Sequence, residues 1–296
     1  MTTPLRRRWF RFRLRTLLIA IAVVAVPLGW IAKERRQSQH EQQIAERLRQ
    51  QGYQDQTSGG PYDSSLLDDH HEPQGWWRDF AHAVLGERVL TLGNPTEDVE
   101  DLRPLTELRS LQDLQLWGAK ALDFTPLAGL TRLEVLMLEG TRISDLSPIA
   151  GLTRLEQLTL SYCPVRDLTP LAGLTNLEEL FMICAPVTDL SPLAGLTKLR
   201  VLYLDNTLAS DLTPLSGLTK LQSLQLGGAP VRDLTPLAGL SSLKVLDLRP
   251  AMHSDLSFEG RRHPTHRKNL CYVPQEQVTA LQKALPNCRI DYNPNP

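Results

Sequence analysis

The stretch Ile143–Leu152 reads ISDLSPIAGL, and four near copies follow it: VRDLTPLAGL from Val165, VTDLSPLAGL from Val187, ASDLTPLSGL from Ala209 and VRDLTPLAGL from Val231. Leucines at 108, 130, 152, 174, 196, 218 and 240 fix the period at 22 residues without slippage. Each unit carries L-x-x-L-x-x-L-x-L, as in Leu130, Leu133, Leu136 and Leu138, with Met182 replacing the last leucine in one copy. The earlier Asp101-Leu102-Arg103-Pro104-Leu105 keeps the same register, so a partial unit precedes the seven.

One unit cannot fold alone. In the unit beginning at Leu130 the apolar set is Leu130, Leu133, Leu136, Leu138, Ile143, Leu146 and Ile149. Burying seven such side chains contributes roughly 10 to 20 kcal/mol. Ordering the backbone of one unit costs on the order of 20 to 40 kcal/mol. Stacking resolves the deficit, because each strand pairs with the next at about 4.8 Å and every interior coil is covered on both sides.

L-x-x-L-x-L at this period resembles the leucine-rich repeat family, and the 22-residue length with its D-L-[ST]-P-L half resembles the internalin-like bacterial subclass. The resemblance covers about residues 88 to 256. It implies an α/β repeat fold, a leucine-rich repeat solenoid. Parallel strands would form its concave face, short 3-10 or irregular turns its convex face, and helical caps its ends. One departure is clear: where the family commonly places an asparagine after the strand, this chain has Ala119, Thr141, Cys163, Ala185, Thr207, Ala229 and Ala251. Those turns are expected to close with small groups or backbone alone.

In the D-L-S-P half, Ser147 is placed to N-cap a short turn, Pro148 suits its first position and Gly151 helps end it. A column of like charges accompanies it: Asp101, Asp123, Asp145, Asp167, Asp189, Asp211, Asp233 and Asp255. One carboxylate per coil falls short of the six to eight oxygens that calcium takes. Each Asp is therefore expected to accept backbone N–H groups in its own turn.

Outside the array the chain changes character. Residues 1–36 hold nine Lys or Arg against one Glu, a net +8 that leaves −9 for the rest of a chain whose total is −1. This distribution argues against nucleic acid as a partner. Arg6, Arg7, Arg8, Arg11, Arg13 and Arg15 form a basic cytoplasmic segment, residues 1–15, before the apolar run of residues 16–32. That run reaches about 25 Å as a helix, enough for a short transmembrane anchor. Trp9, Phe10, Phe12 and Trp30 suit its interfaces. A cleaved signal fits less well, because Trp30 stands where a small residue is wanted. The arginines place the N-terminus in the cytoplasm and the repeat domain outside it, as a single-pass membrane protein. Residues 33–52 read as a charged stalk helix and residues 53–75 as a flexible linker. Residues 76–92 read as an N-terminal cap helix with Trp76, Trp77 and Phe80, followed by a first strand over 88–92. The array then runs over 93–256. A C-terminal loop and cap helix occupy 257–296, with Val278, Leu281 and Leu285 on one face and a last strand near Cys288-Arg289-Ile290. An anchor, a stalk, a cap and such an array together resemble membrane-anchored leucine-rich repeat proteins of bacterial envelopes.

No nucleophile elbow, phosphate-binding loop, dinucleotide fingerprint or H-E-x-x-H occurs, so the chain reads as non-catalytic, with no cofactor and no metal. His70 and His71, beside Asp68, Asp69 and Glu72, read as a solvated acidic loop rather than a metal site. The segment RRHPTHRK, residues 261–268, reads as a solvated loop, with an anionic polymer or lipid head group as its alternative. Cys163 reads as a small buried residue. Cys271 and Cys288 flank the C-terminal helix and are the pair best placed for a disulfide.

Function is expected where the repeat varies. Residues between the strand leucines point away from the core onto the concave face. There Phe181, Ile183, Val201 and Tyr203 adjoin across two coils with Glu179 and Asp205 at their border, and Trp117 with Met137 forms a second apolar spot. Exposed aromatics within a polar rim favour protein partners. The chain is expected to bind a protein, or a wall polymer of the cell envelope, through this face. Its membrane-lipid contact would be through the N-terminal helix. The alternative is a self-associating scaffold or spacer of the envelope.

Overall fold

The computed structural model describes residues 32–33, 35–48, 91–93, 99–249 and 273–293. The chain divides into two compact units, Met1–Gln43 with Asp63–Arg88, and Ile44–Tyr62 with Val89–Pro296. The basic segment, the linker, the aromatic cap helix and the basic loop lie outside the described residues, as does the expected anchor apart from Ala32. Among the described residues no helix is long and apolar enough to cross a membrane. Of the first unit, the described residues are 32–33 and 35–43, all helical, and within them Gln37 Nε2 donates to Glu41 Oε1 at 3.0 Å.

The second unit holds the repeats. Among the described residues, nine parallel strands form one sheet in chain order: β1 (Thr91–Gly93), β2 (Asp113–Gln115), β3 (Val135–Met137), β4 (Gln157–Thr159), β5 (Glu179–Phe181), β6 (Val201–Tyr203), β7 (Ser223–Gln225), β8 (Val245–Asp247) and β9 (Arg289–Asp291). From β1 to β8 each residue pairs with the residue 22 positions on, as Leu136 does with Leu158 and Leu158 with Leu180. The leucine spacing is therefore the strand register itself. The seven apolar residues of the coil beginning at Leu130 are each 1% exposed or less, and the pattern leucines of the described coils from Leu102 to Leu248 join one continuous core. Ile44, Ala45 and Leu48, from the helix expected as a stalk, belong to that same core.

Seven 3-10 turns among the described residues return the chain on the far side of the core, from Arg103–Glu107 to Thr235–Gly239. Their capping differs from the expectation for Ser147. Leu146 occupies the N-cap position, and Asp145 Oδ1 accepts the Ser147 N–H at 2.8 Å. The reason is the proline: Pro148 has no N–H and Ile149 N–H already donates to Leu146 O, so the orphan donor is that of Ser147 itself. The same bond recurs from Asp101, Asp123, Asp167, Asp189, Asp211 and Asp233 at 2.8 to 3.0 Å. Asp255 lies outside the described residues.

After each strand from β2 to β7 the chain turns through a left-handed residue. Gly118, Gly140 and Gly228 take it freely, while Tyr162, Cys184 and Asn206 adopt φ of 59°, 59° and 55°. The next position, without its asparagine, closes through the backbone. Thr141, Cys163, Ala185, Thr207 and Ala229 donate their N–H three residues back at 3.1 to 3.3 Å. Thr141 and Thr207 add a hydroxyl bond to the same carbonyl.

The C-terminal helix, Gln275–Ala284, buries Val278 and Leu281 against the last coil, with Leu285 just beyond its end. Gln277 Oε1 accepts the Leu234 N–H at 2.7 Å, which caps the final 3-10 turn from outside the repeat. Gln282 Nε2 donates to Leu285 O and Cys288 O, and this holds the hairpin of chain that leads into β9. Cys288 is a buried free thiol; Cys271, its expected bridge partner, lies outside the described residues.

Candidate functional site

Alternation along each three-residue strand sends its middle leucine into the core and its two flanking residues to the outer face of the sheet. In β5 these are Glu179 and Phe181, and in β6 Val201 and Tyr203. The register pairs Glu179 with Val201 and Phe181 with Tyr203. The two rings meet edge to face, centroids 5.0 Å apart at 86°, an arrangement that aromatic quadrupoles favour. Ile183 and Asp205 occupy the position just beyond the strands. Met137 lies on β3 beside Gln115, and Trp117 follows β2. Gln157 and Thr159 of β4, with Ser161 just beyond it, separate this pair from the Phe181 group.

The face differs from expectation in exposure. Met137, Glu179, Phe181, Ile183, Val201 and Asp205 are all 8% exposed or less, and Trp117 and Tyr203 are half-buried. In-register stacking supplies a local reason. Each side chain stands between the equivalents of the preceding and following coils at about 4.8 Å, and large neighbours hide each other's flanks.

Asp205 is the distinctive ionisable group. Its Oδ1 accepts the Gly227 N–H at 2.9 Å, while its Oδ2 is buried without a hydrogen-bond partner. Burial pushes its carboxyl up to about 7; the Gly227 bond opposes the rise and the charge of Asp247 adds to it. The phenol of Tyr203 is also raised by burial, against a hydrogen bond with Ser223, and the charges of Asp205, Glu179 and Asp247 add to the rise. Farther along the face, Asp247 and Asp291 both pair with Arg249, and Arg289 pairs with Asp291. At the other end Gln115 Nε2 donates to both oxygens of Asp113 at 3.3 Å.

Two residues that the leucine pattern did not single out belong with this group. Thr159 Oγ1 and Gln115 Oε1 are buried without partners in the same row of side chains as Phe181 and Tyr203. The one available signal was positional, since polar residues stood where the leucine alternation sends side chains outward. Ser161 is a structural residue, because its Oγ accepts the Ile183 N–H at 3.2 Å. Among the described residues no three His, Cys, Asp or Glu side chains gather to hold a metal ion. The Asp column is engaged in its own turns. Its carboxyls are held below the ordinary value first by the side chain two residues on and then by that residue's N–H, as Ser147 does for Asp145. Repulsion from Asp145 and Asp189 acts on Asp167 more weakly than these bonds.

A family model described as "Leucine Rich repeats (2 copies)" matches residues 131–173 and 175–217. Among solved structures, an internalin (inlF) from Listeria monocytogenes is 33% identical with a TM-score of 0.53, over 54% of this chain and 47% of its own. Internalin C2 (inlC2) from the same organism is 34% identical with a TM-score of 0.52, over 62% of this chain and 79% of its own. The chain belongs to the internalin-like leucine-rich repeat proteins. A leucine-rich repeat protein of Leptospira interrogans, 22% identical with a TM-score of 0.53 over 64% of this chain and 45% of its own, shares the fold. This internalin-like chain spans about half the length of inlF. No curated protein matches it significantly.

Proposed function

We propose that this internalin-like protein is a non-catalytic, membrane-anchored binding protein that recognises another protein, or a ligand of the cell envelope, through the outer face of its sheet. The observation that carries this reading is the Phe181–Tyr203 pair. The leucine scaffold repeats beneath it with Met182 as its one replacement, while the positions above vary and gather aromatic and aliphatic side chains with carboxylates beside them. A few large anchors of this kind supply most of the energy of protein recognition. In this reading the arginines before residue 16 stay in the cytoplasm, residues 16–32 cross the bilayer and the repeats face outward.

The test is capture from detergent-solubilised native membranes with the full chain as bait, beside a Phe181→Leu/Tyr203→Ala variant. Leucine keeps apolar volume at the buried position 181, so a matching melting curve certifies the fold. A partner retained by the wild type and lost by the variant supports the reading; identical recovery by both rejects this face. Anchoring is tested separately by carbonate extraction, where release of the full chain into the supernatant rejects a spanning helix.

A further inference from the structure

β9 is the last strand of the sheet, and among the described residues no strand lies on its far side. Arg289 N–H donates to Lys244 O and Asp291 O accepts from Leu248 N–H, each at 2.8 Å, so residues 289 and 291 turn their main-chain groups towards β8. Alternation then sends the N–H and C=O of Ile290 the other way, to the open edge. Such an edge takes up another strand unless something blocks it.

Continuation of the array is hindered at this edge. In interior coils the carbonyl just before the strand accepts two N–H groups of the coil that follows, as Glu178 O does from Arg200 and Val201 and Gln222 O from Lys244 and Val245. The register places Cys288 at that position in the last coil, and its carbonyl already accepts Gln282 Nε2 at 2.9 Å. A further parallel strand would have to compete with Gln282 for its acceptor. An antiparallel strand centred on Ile290 does not use that carbonyl.

β9 is also its own complement. Arg289-Ile290-Asp291 laid antiparallel against the same three residues of a second copy, isoleucine opposite isoleucine, sets each arginine across from an aspartate. Arg289 is accessible for this, since its side chain is 69% exposed where it reaches Asp291 of its own strand at 2.9 Å. Ile290 is only partly buried against the end of the core.

We infer that β9 pairs antiparallel with β9 of a second copy of this chain across a two-fold axis. The two Ile290 residues exchange both main-chain bonds, and their side chains meet and cover each other. Each Asp291 then lies between the Arg289 of its own strand and that of the second copy. The same patch serves both copies, so the contact closes at two and does not propagate. The outer faces of both arrays come to lie on one side of a continuous sheet, which offers two points of attachment to a ligand that repeats. The pairing does not depend on which ligand that face takes.

The experiment is sedimentation equilibrium of the full chain in density-matched detergent, with Arg289→Asp and Asp291→Arg made separately and melting curves verifying that each folds. The wild type should form a dimer with a dissociation constant in the micromolar range, as a small interface does. Each single variant sets like charges opposite each other twice, and its self-association should fall at least about tenfold. An equimolar mixture of the two variants should recover the dimer, because every opposed pair is then again of opposite charge. Ile290→Pro removes the outward N–H but leaves the bonds of residues 289 and 291 to β8, so it should be folded and monomeric; the charge variants decide the matter if it does not fold. A dimer that persists in both charge variants, or a mixture of them that stays monomeric, overturns the inference. So does a wild type that is monomeric throughout the micromolar range, and if Ile290→Pro then loses a partner captured from membranes, the edge belongs to a different protein.

Discussion

Oδ1 of Asn206 fills the space into which a side chain at Gly228 would grow: a Cβ there would stand 2.2 Å from it. Gly228 also holds φ at +73°, a conformation that costs an L-residue about 1 to 2 kcal/mol. Gly228→Ala is therefore expected to destabilise the array by at least about 2 kcal/mol in urea unfolding. Adding Asn206→Gly should restore part of the loss, because it removes the clashing amide and relaxes a second left-handed residue. Additive effects in this double-mutant cycle would show that the two turns are not coupled.

The Asp column predicts acid sensitivity. These carboxyls have folded values below 3.8, with Asp101 at about 2 through its bonds to Arg103. A depressed acid contributes stability that is present above the unfolded value and is lost as pH falls through the folded one. Thermal melts should thus be flat in this respect above pH 4 and should fall between roughly pH 4 and 2. Asp145→Asn and Asp189→Asn together should shrink the fall, and an unchanged acid limb would remove the column as its cause.

Asp205 has the opposite sign. Its carboxyl is raised from 3.8 to about 7, so the folded state holds the proton more tightly than the unfolded chain does. Stability then declines as pH rises from about 4 to about 7 and levels off above that. Asp205→Asn should flatten this limb and raise Tm at pH 8 more than at pH 5. If the substitution lowers Tm equally at both, the group is not titrating in this window.

Gln277 ties the C-terminal helix to the last repeat. Gln277→Ala leaves the Leu234 N–H without its 2.7 Å acceptor, which should cost about 1 to 3 kcal/mol. Because solenoid stability is a sum of neighbouring interfaces, amide exchange should quicken first around Thr235–Gly239 and β8, and the coil of β3 should be spared. Uniform quickening throughout would mean that the array unfolds as one block.

The repeat register was fully legible in the sequence, because a leucine 22 residues from the last can keep its place in the core only if adjacent strands pair without a shift. The C-terminal helix was legible for the same reason: Val278, Leu281 and Leu285 share a face at helical spacing. The capping of Ser147 was misread, since what decides it is the N–H that Pro148 lacks. Ile44 and Leu48 gave only an i, i+4 pair, and spacing alone does not say which surface such a pair meets. Alternation likewise assigned Phe181, Val201 and Asp205 to the right side of the sheet but not to their burial. Burial depends on the side chains standing a coil away, as Tyr203 does beside Phe181.

The last strand enters the sheet 44 positions after its neighbour, twice the spacing of every other pair, as in Val245 with Arg289. Closure at that end depends on joining the sheet edge in phase, whatever length of chain lies between. Gain or loss of a whole 22-residue unit among the interior coils preserves that phase and leaves both ends' contacts intact. The width of the recognition surface is thus free to change by single steps in descent, while the parts that seal it are inherited unaltered.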